Sequence, residues 1–254
     1  PNPPHPESDK SRWQHSEIHN IANYVDASTI LQQLKSQGFI TIDLPKYRIT
    51  PQQHEQLSAF LQHKTNQGAS VRTDTVHFLN YEQSQQAGIA DQFELLLSIA
   101  SYLNDLQFAW VQPQHNPIPP ATPAAPHTVP NEIQIAEYGY EEFYKPHSDN
   151  SLQAQDLRSN FRAVTGILYC NDDWDLPTMG GALRIWPQGR DHPVRSPDPA
   201  RYVDVEPRNG RLLLFDSCLL HSVEPVTTRE QTRRALTVWI NRPDDSGVKG
   251  ETYY

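Results

Sequence analysis

The sequence predicts a mainly β chain with N-terminal helices, an α+β arrangement whose core is a β-sandwich or jelly roll. Helical periodicity is confined to residues 26–106. From residue 131 onward, short alternating or β-branched apolar runs are separated by Gly, Pro, Asn and Asp. Many short strands with frequent turn signals are typical of antiparallel sandwiches and jelly rolls, and not of parallel sheets.

Three amphipathic helices are predicted in the N-terminal part. Apolar residues recur there at spacings of three and four, as at Ile30, Leu31 and Leu34, which places them on one helix face. The predicted helices cover residues 26–38, 51–63 and 91–106, and the predicted strands between them cover residues 39–42 and 73–79. Together these elements are expected to support a sheet and to carry little chemistry.

Residues 112–130 contain seven prolines and no apolar periodicity, so they are predicted to form a loop with polyproline II stretches. Two interpretations stay open, a plain surface excursion and a flap beside the mouth of an active site. After this loop the predicted strands cover residues 131–138, 142–147, 162–170, 180–186, 202–206, 211–215, 222–226 and 233–241. Asn209-Gly210 between two of them predicts a two-residue hairpin.

Composition narrows the function classes. The net charge of -9, with 30 acidic residues against 21 Lys and Arg, argues against binding of nucleic acid or of an anionic membrane surface. Cys170 and Cys218 are the two cysteines, so we expect free thiols and a reducing compartment. No run approaches the ~20 apolar residues of a membrane span, and the N-terminus lacks the apolar stretch of a signal peptide. We therefore expect a soluble, cytoplasmic protein; the sequence does not indicate its oligomeric state.

The pair His147 and Asp149, with His221 72 residues beyond the aspartate, predicts a metal site. Side chains two residues apart on an extended segment share one face. Two imidazoles and one carboxylate on one face of an octahedral metal leave the opposite positions open, as in non-haem Fe(II) oxygenases. Structural zinc instead prefers a closed tetrahedron. The other nine histidines are assigned no role.

A cation that could bind a carboxylate lies in the last predicted strand. By the two-residue period, Arg233, Ala235, Thr237 and Trp239 share one face and Arg234 points to the other. A guanidinium can bind a carboxylate through two parallel hydrogen bonds. The spacing alone does not decide which arginine faces inward. Tyr169, on another strand run, offers a hydroxyl to the same carboxylate.

With these residues in place, the chain resembles the 2-oxoglutarate and Fe(II)-dependent oxygenases, in their prolyl hydroxylase branch, and most of all the oxygen-sensing prolyl hydroxylase domain group. The resemblance covers about residues 131–241. Its motifs are Ala136-Glu137-Tyr138, Tyr144-Lys145-Pro146-His147-Ser148-Asp149-Asn150, Tyr169-Cys170-Asn171-Asp172-Asp173-Trp174, Gly180-Gly181-Ala182-Leu183-Arg184-Ile185-Trp186-Pro187, His221-Ser222-Val223-Glu224-Pro225 and Arg233-Arg234-Ala235-Leu236-Thr237-Val238-Trp239.

The resemblance implies a double-stranded β-helix, that is a cupin-like jelly roll, with iron held by the catalytic residues His147, Asp149 and His221. It implies that Arg233 and Tyr169 bind the C5 carboxylate of 2-oxoglutarate. The remaining implied residues are Tyr138, Ile167, Leu183, Thr237 and Trp239 for the co-substrate pocket, and Tyr144, Arg162 and Trp239 for the substrate. Two departures are noted. The gap from His221 to Arg233 is about three residues longer than usual, and the N-terminal helices and the Pro-rich loop are not explained.

On this reading, residues 1–25 are a tail and lead-in and residues 26–254 a single oxygenase domain. Within the domain, residues 26–111 give helical support and flanking strands, 112–130 the loop, 131–241 the β-helix core and 242–254 a tail. The cofactors implied are Fe(II), 2-oxoglutarate and O2, with ascorbate as a candidate reductant. The expected reaction is hydroxylation of a prolyl residue in a peptide or protein, with release of succinate and CO2. Two alternatives stay open: a hydroxylase of a free amino acid or other small molecule, and a jelly roll that binds metal or organic acid without turnover.

Overall fold

Ten strands form two antiparallel sheets in the computed structural model, which describes residues 21–61, 71–105, 130–150, 162–187 and 198–241. The larger sheet has the order β1-β8-β5-β10-β3-β2, and the smaller has the order β4-β9-β6-β7. The strands are β1 Phe39–Asp43, β2 Thr75–Leu79, β3 Ile133–Tyr138, β4 Tyr144–His147, β5 Arg162–Tyr169, β6 Leu183–Ile185, β7 Val203–Val205, β8 Arg211–Asp216, β9 His221–Val223 and β10 Arg233–Asn241.

From β3 onward the chain passes repeatedly between the two sheets, and among the described strands only β6 and β7 are consecutive strands of the same sheet. β3, β5, β8 and β10 lie in the larger sheet, while β4, β6, β7 and β9 lie in the smaller. Strands that are far apart in sequence thereby become neighbours, which is the property of a jelly roll that the metal-site prediction requires. The predicted fold class, mainly β with N-terminal helices around a double-stranded β-helix, is confirmed.

The helices lie mostly before residue 106. They are α1 Ala27–Ser36, α2 Pro51–Ser58, α3 Tyr81–Gln86, α4 Ala90–Asp105 and the short α5 Leu176–Met179. The Asp26 side chain caps α1 by accepting from the Thr29 amide. Thr50 and Gln53 form a reciprocal capping box at α2. These caps explain why the first two helices begin where the sequence predicts.

Two hydrophobic cores lie on the two faces of the larger sheet. One contains the buried faces of α1 and α4 together with Val164 and Leu168 of β5. The other lies between the sheets and includes Ile167 and Tyr169 of the same strand. Because side chains alternate along a strand, β5 contributes to both cores and is apolar almost throughout. The inter-sheet core forms the wall of the candidate site.

The prediction of a two-residue hairpin at Asn209-Gly210 is wrong. β7 pairs with β6, whereas β8 pairs with β1 and β5, so the chain passes here from one sheet to the other. Gly210 has a positive φ of 79°. Asn209 instead uses its side-chain amide to bind the backbone of Ile49 through Nδ2 (2.7 Å) and Oδ1 (2.8 Å). The two residues form a tertiary anchor for the N-terminal segment.

Several boundaries also differ from the prediction. α2 ends at Ser58, because the next residues make hydrogen bonds of the tighter i to i−3 type. The helices α3 and α5 were not predicted.

Both cysteines are free, as expected. Ile21, in the predicted lead-in, is fully buried. Residues 1–20, most of the Pro-rich loop and the tail after 241 lie outside the described residues. Among the helices that the structure describes, none combines the length and apolar character needed to cross a bilayer.

Candidate metal centre

His147, Asp149 and His221 converge, as predicted. One ligand atom from each lies within 4.8 Å of the others. Pairing of β4 with β9 sets His147 directly opposite His221. The aspartate is placed differently from the prediction, because β4 ends at His147 and Asp149 follows in a bend. Its carboxylate still lies 3.8 Å from the Nε2 atom of each histidine, through Oδ1 to His147 and Oδ2 to His221.

Backbone carbonyls orient both imidazole rings. Nδ1 of His147 lies 2.8 Å from the Lys145 carbonyl oxygen, and Nδ1 of His221 lies 2.9 Å from that of Leu219. A carbonyl oxygen only accepts, so each Nδ1 carries the proton and each Nε2 keeps a free lone pair. Histidine ligands of metals are commonly fixed in this way by a bond to the other ring nitrogen. Both Nε2 atoms are therefore available as ligands on the side of Asp149.

The pKa shifts of His147 and Asp149 also suit a cation. Burial, together with the nearby His221, lowers the pKa of His147 to about 3. Burial alone would raise the pKa of the Asp149 carboxyl, but the two histidines and a hydrogen bond from Thr165 lower it overall. Metal binding requires neutral imidazoles and an ionised carboxylate. The three groups thus match the donor set of an Fe(II) site with open coordination positions.

Aromatic and charged side chains surround His147. The Tyr144 ring stacks on its imidazole, with centroids 3.5 Å apart and planes 17° apart. The Arg72 guanidinium carbon lies 4.5 Å from the centre of the Tyr144 ring. Arg72 forms a two-point ion pair with the buried Asp74, with Nε 2.7 Å from Oδ1. Sequence reasoning missed Arg72 and Asp74, which lie just before β2, because no local pattern links them to a histidine 75 and 73 residues away.

Asp149 is held by side chains of the larger sheet. Its Oδ2 atom accepts from the Thr165 hydroxyl at 2.6 Å and from the Trp239 indole N–H at 3.1 Å. The Ser217 hydroxyl lies 2.9 Å from that of Thr165. Trp239 was expected near the co-substrate and the substrate, and the structure adds this contact to the aspartate. Thr165 and Ser217 were not predicted, since isolated Thr and Ser residues give no signal in a strand.

The structure decides between the two arginines. Arg233 faces the inter-sheet core and is 1% exposed, whereas Arg234 points to the opposite face, where it binds Glu137 and the His54 carbonyl oxygen. Arg233 Nε donates to the Gly181 carbonyl oxygen at 2.7 Å. Its guanidinium carbon lies 5.3 Å from the centre of the Tyr169 ring.

Two buried polar atoms here lack a hydrogen-bond partner in the described part of the chain, namely Arg233 Nη2 and the Tyr169 hydroxyl. Burial raises the pKa of Tyr169 to about 12, so its hydroxyl keeps its proton and can donate. Buried donors without acceptors are costly and therefore uncommon in folded proteins. A carboxylate between them would satisfy both donors and the charge of Arg233.

The other predicted residues occupy the same region. Tyr138, Ile167 and Leu183 belong to the inter-sheet core, and Thr237 is buried on the inner face of β10. The Arg162 guanidinium carbon lies 3.9 Å from the centre of the Trp239 ring. Because Trp239 and Tyr144 contact Asp149 and His147 respectively, the three predicted substrate residues lie beside these two candidate ligands.

Comparison with known families gives one domain match. Residues 133–241 match the family model described as 2OG-Fe(II) oxygenase superfamily. Over 104 residues the chain is 38% identical to human Egl nine homolog 1, covering 40% of this chain and 20% of that protein. Over 98 residues it is 35% identical to the hypoxia-inducible factor prolyl hydroxylase of Caenorhabditis elegans, covering 38% of this chain and 11% of that protein. The matches thus span only a minor part of these relatives.

Solved structures show the same fold over most of the chain. A prolyl-4-hydroxylase from Pseudomonas putida has a TM-score of 0.59 and 22% identity, covering 85% of this chain and 99% of that one. A Trichoplax adhaerens prolyl hydroxylase, in complex with a hypoxia inducible factor peptide fragment, has a TM-score of 0.53 and 20% identity, covering 85% and 88%. At 85% of the chain, these likenesses extend well beyond residues 133–241 of the family match.

Proposed function

We propose that the protein is a 2-oxoglutarate and Fe(II)-dependent oxygenase of the prolyl hydroxylase branch that hydroxylates a prolyl residue of a peptide or protein. Support comes from the match of residues 133–241 to the superfamily model and from the similarity to a prolyl hydroxylase. As in that family, the protein would hold Fe(II) and consume 2-oxoglutarate and O2, with succinate and CO2 as co-products. The observation that carries the proposal is the pairing of a His147, Asp149 and His221 ligand set with two unsatisfied buried donors in one inter-sheet space.

His147, Asp149 and His221 would hold the iron through two Nε2 atoms and one carboxylate oxygen. Bound Fe(II), together with the keto acid and O2, would supply the oxidising chemistry that no side chain can provide. Arg233 and Tyr169 would bind the distal carboxylate of 2-oxoglutarate and so fix its orientation. Ile167, Leu183 and Phe215 would keep water out of the space between the sheets.

The aspartate also bears on the type of product. A halogenating enzyme of this chemistry needs a coordination position for halide, and here Asp149 fills the third protein-ligand position. Hydroxylation is therefore favoured over halogenation. A prolyl substrate is supported by the two aromatic residues at the ligands, since Tyr144 stacks on His147 and Trp239 donates to Asp149. Rings of this kind pack well against the apolar ring of proline.

Two finer points follow from the same proposal. Ascorbate is the candidate accessory reductant, and its addition should raise the number of turnovers before the enzyme inactivates. Free Cys170 and Cys218 support a reducing compartment, such as the cytoplasm.

The test is incubation of the protein with Fe(II), 2-oxoglutarate and proline-bearing peptides in air, followed by mass spectrometry. We expect a gain of one oxygen on proline, matched by an equal amount of succinate. Peptides with alanine in place of proline should stay unmodified, and a His147→Ala protein should give neither product. Turnover of free amino acids or other small molecules only would overturn the prolyl assignment. Metal and 2-oxoglutarate binding without succinate under any condition would indicate a binding protein.

A further inference from the structure

The Asp149 carboxylate lies in a segment that strand pairing does not fix. β4 ends two residues earlier, at His147. The main chain beyond it is tied to the turn after β8, because the Asn150 amide donates to the Ser217 carbonyl oxygen at 2.9 Å. A carboxylate in such a bend can rotate about its side-chain bonds unless other groups hold it.

Both hydrogen bonds that the described residues make to this carboxylate reach the same oxygen, Oδ2. Thr165 Oγ1 donates to it at 2.6 Å, and Trp239 Nε1 donates to it at 3.1 Å. The two donors are a cross-strand pair, since Trp239 of β10 lies directly opposite Thr165 of β5. Each oxygen lies 3.8 Å from one histidine Nε2, Oδ1 from that of His147 and Oδ2 from that of His221, but the larger sheet presents both of its donors to Oδ2.

The Asp149 carboxylate fixes the direction of donation in the hydrogen-bonded chain of Ser217, Thr165 and Asp149. An ionised carboxylate only accepts, so the single Thr165 proton is committed to Asp149. The contact of 2.9 Å between the Thr165 and Ser217 hydroxyls then requires Ser217 to donate. Thr165 is 1% exposed and Ser217 is fully buried, so water does not compete for these bonds. Donation runs from Ser217 through Thr165 to Asp149, and each bond polarises the next.

We propose that Thr165 and Ser217 are positioning residues that hold the Asp149 carboxylate for metal binding through Oδ1. By occupying Oδ2, they prevent the aspartate from turning both oxygens to the cation, and so preserve an open coordination position. The inference rests on the proposed function, since it assumes that His147, Asp149 and His221 bind a metal. It concerns how firmly and in what geometry the metal is bound, not which substrate is oxidised.

The test uses Co(II) alone, added anaerobically to the metal-free protein and followed by visible absorption, which reports both affinity and coordination geometry. Thr165→Val removes the hydroxyl at similar volume and should weaken Co(II) binding by roughly 10- to 100-fold, as for other supports of metal ligands. It should also change the Co(II) spectrum. Thr165→Ser keeps the hydroxyl and should restore wild-type affinity and spectrum.

A matched control is Thr75→Val, the same exchange at a buried threonine of the larger sheet. Its neighbour Val76 packs toward the inter-sheet core, so Thr75 faces away from the site. This variant should bind Co(II) like the wild type. Ser217→Ala should weaken binding by roughly fivefold, the effect of losing one neutral hydrogen bond.

Wild-type affinity and spectrum in Thr165→Val would overturn the proposal while leaving the metal site intact. If Thr165→Val does not fold, Ser217→Ala decides in its place, and unchanged Co(II) binding there overturns the proposal. Failure of the wild-type protein to bind Co(II) would instead remove the proposed function, and the positioning roles with it.

Discussion

At the scale of single residues, the site depends on side chains whose orientations are fixed by hydrogen bonds. His147 and His221 each commit Nδ1 to a backbone carbonyl and keep Nε2 for a ligand. Arg233 commits Nε to Gly181 and keeps Nη2. In each case one polar atom is used for orientation and the other remains available inside the inter-sheet space.

Loss of a metal ligand should abolish turnover. Asp149→Ala removes the only charged ligand of the set. We therefore expect metal-dependent succinate formation to fall by more than about 100-fold, which exceeds the usual effect of mutating a residue that only supports a metal ligand. Succinate is quantified after incubation with saturating Fe(II) and 2-oxoglutarate. Glu55→Ala, which removes an exposed carboxylate on α2, serves as the control and should keep activity. Substantial activity in Asp149→Ala would contradict the ligand assignment.

Removal of the buried Arg233 guanidinium should weaken binding of 2-oxoglutarate. Arg233→Ala deletes a charge-assisted pair worth about 3 kcal/mol, so KM for 2-oxoglutarate should rise on the order of 100-fold. Arg234→Ala is the matched control, because Arg234 lies on the opposite face and binds Glu137. Steady-state kinetics over a range of 2-oxoglutarate concentrations separates the two. A large KM effect in Arg234→Ala, with none in Arg233→Ala, would reverse the assignment.

The sequence pointed to His147, Asp149 and His221, because histidine and aspartate at those spacings are chemically distinctive. The choice of Arg233 over Arg234 came from the family resemblance, since spacing alone left it open. The sequence did not reveal Thr165, Ser217, Arg72 or Asp74. Each of these reaches the site only through sheet pairing or through contacts between distant segments, as when Trp239 of β10 lies opposite Thr165 of β5. Their residue types are common in strands and turns, so no local pattern marks them.

At the scale of elements, the turn before β6 carries a conformational requirement. Gly180 has φ 65° and ψ −147°, a region that side chains other than glycine rarely adopt. A methyl group there would overlap the Pro225 carbonyl oxygen. The next residue, Gly181, also has positive φ and supplies the carbonyl oxygen that orients Arg233. The Gly180-Gly181 pair therefore links the start of β6 to the buried Arg233 guanidinium.

Gly180→Ala should destabilise the protein and weaken co-substrate binding together. Backbone strain of this type costs about 1–3 kcal/mol, to which the overlap with Pro225 adds. Thermal unfolding should show a lower Tm, and 2-oxoglutarate titration a higher Kd. Gly139→Ala is the control, since Gly139 does not have positive φ and its nearest new contact would be the Glu142 carboxylate at 3.6 Å. Equal Tm and Kd values in both variants would show that the turn tolerates a side chain.

The element types were predictable wherever periodicity was strong, as in α1, α4, β5 and β10. Boundaries were less so where local signals conflicted with tertiary contacts. Asn209-Gly210 has the composition of a hairpin turn, yet Asn209 binds Ile49 and Asp172, and the following strand joins the other sheet. Three-residue strands such as β6 and β9 are set by pairing with their neighbours, which a single sequence does not display.

At the scale of the whole molecule, the fold of this chain extends beyond the residues of the family match. Both edge strands of the larger sheet, β1 and β2, precede residue 133, and so does α4, which packs on β5 and β10. Ile21, Leu34 and Leu96 belong to the same core as Leu168 and Leu236. We therefore propose that the N-terminal elements are part of one domain with the β-helix. The jelly-roll class was predictable from the sequence, but the strand order was not.

A fragment of residues 131–254 should fail to fold on its own. It would leave β8 and β3 as unpaired edges and expose the apolar face covered by α1 and α4. Far-UV circular dichroism and thermal unfolding, compared with the full chain, provide the check. We expect aggregation or the absence of a cooperative transition. A soluble fragment with a cooperative transition and bound Co(II) would show that the N-terminal elements are dispensable for the fold.

The central claim is that His147, Asp149 and His221 hold one metal ion beside a bound keto acid. Its most direct test is an anaerobic titration of the protein with Fe(II) and 2-oxoglutarate, followed by visible spectroscopy. We expect one Fe(II) per chain and a charge-transfer absorption that appears only when Fe(II) and 2-oxoglutarate are both present, and that is lost in Asp149→Ala. Retention of that absorption in Asp149→Ala, or its absence in a folded wild-type protein, would show that these three residues do not form such a site.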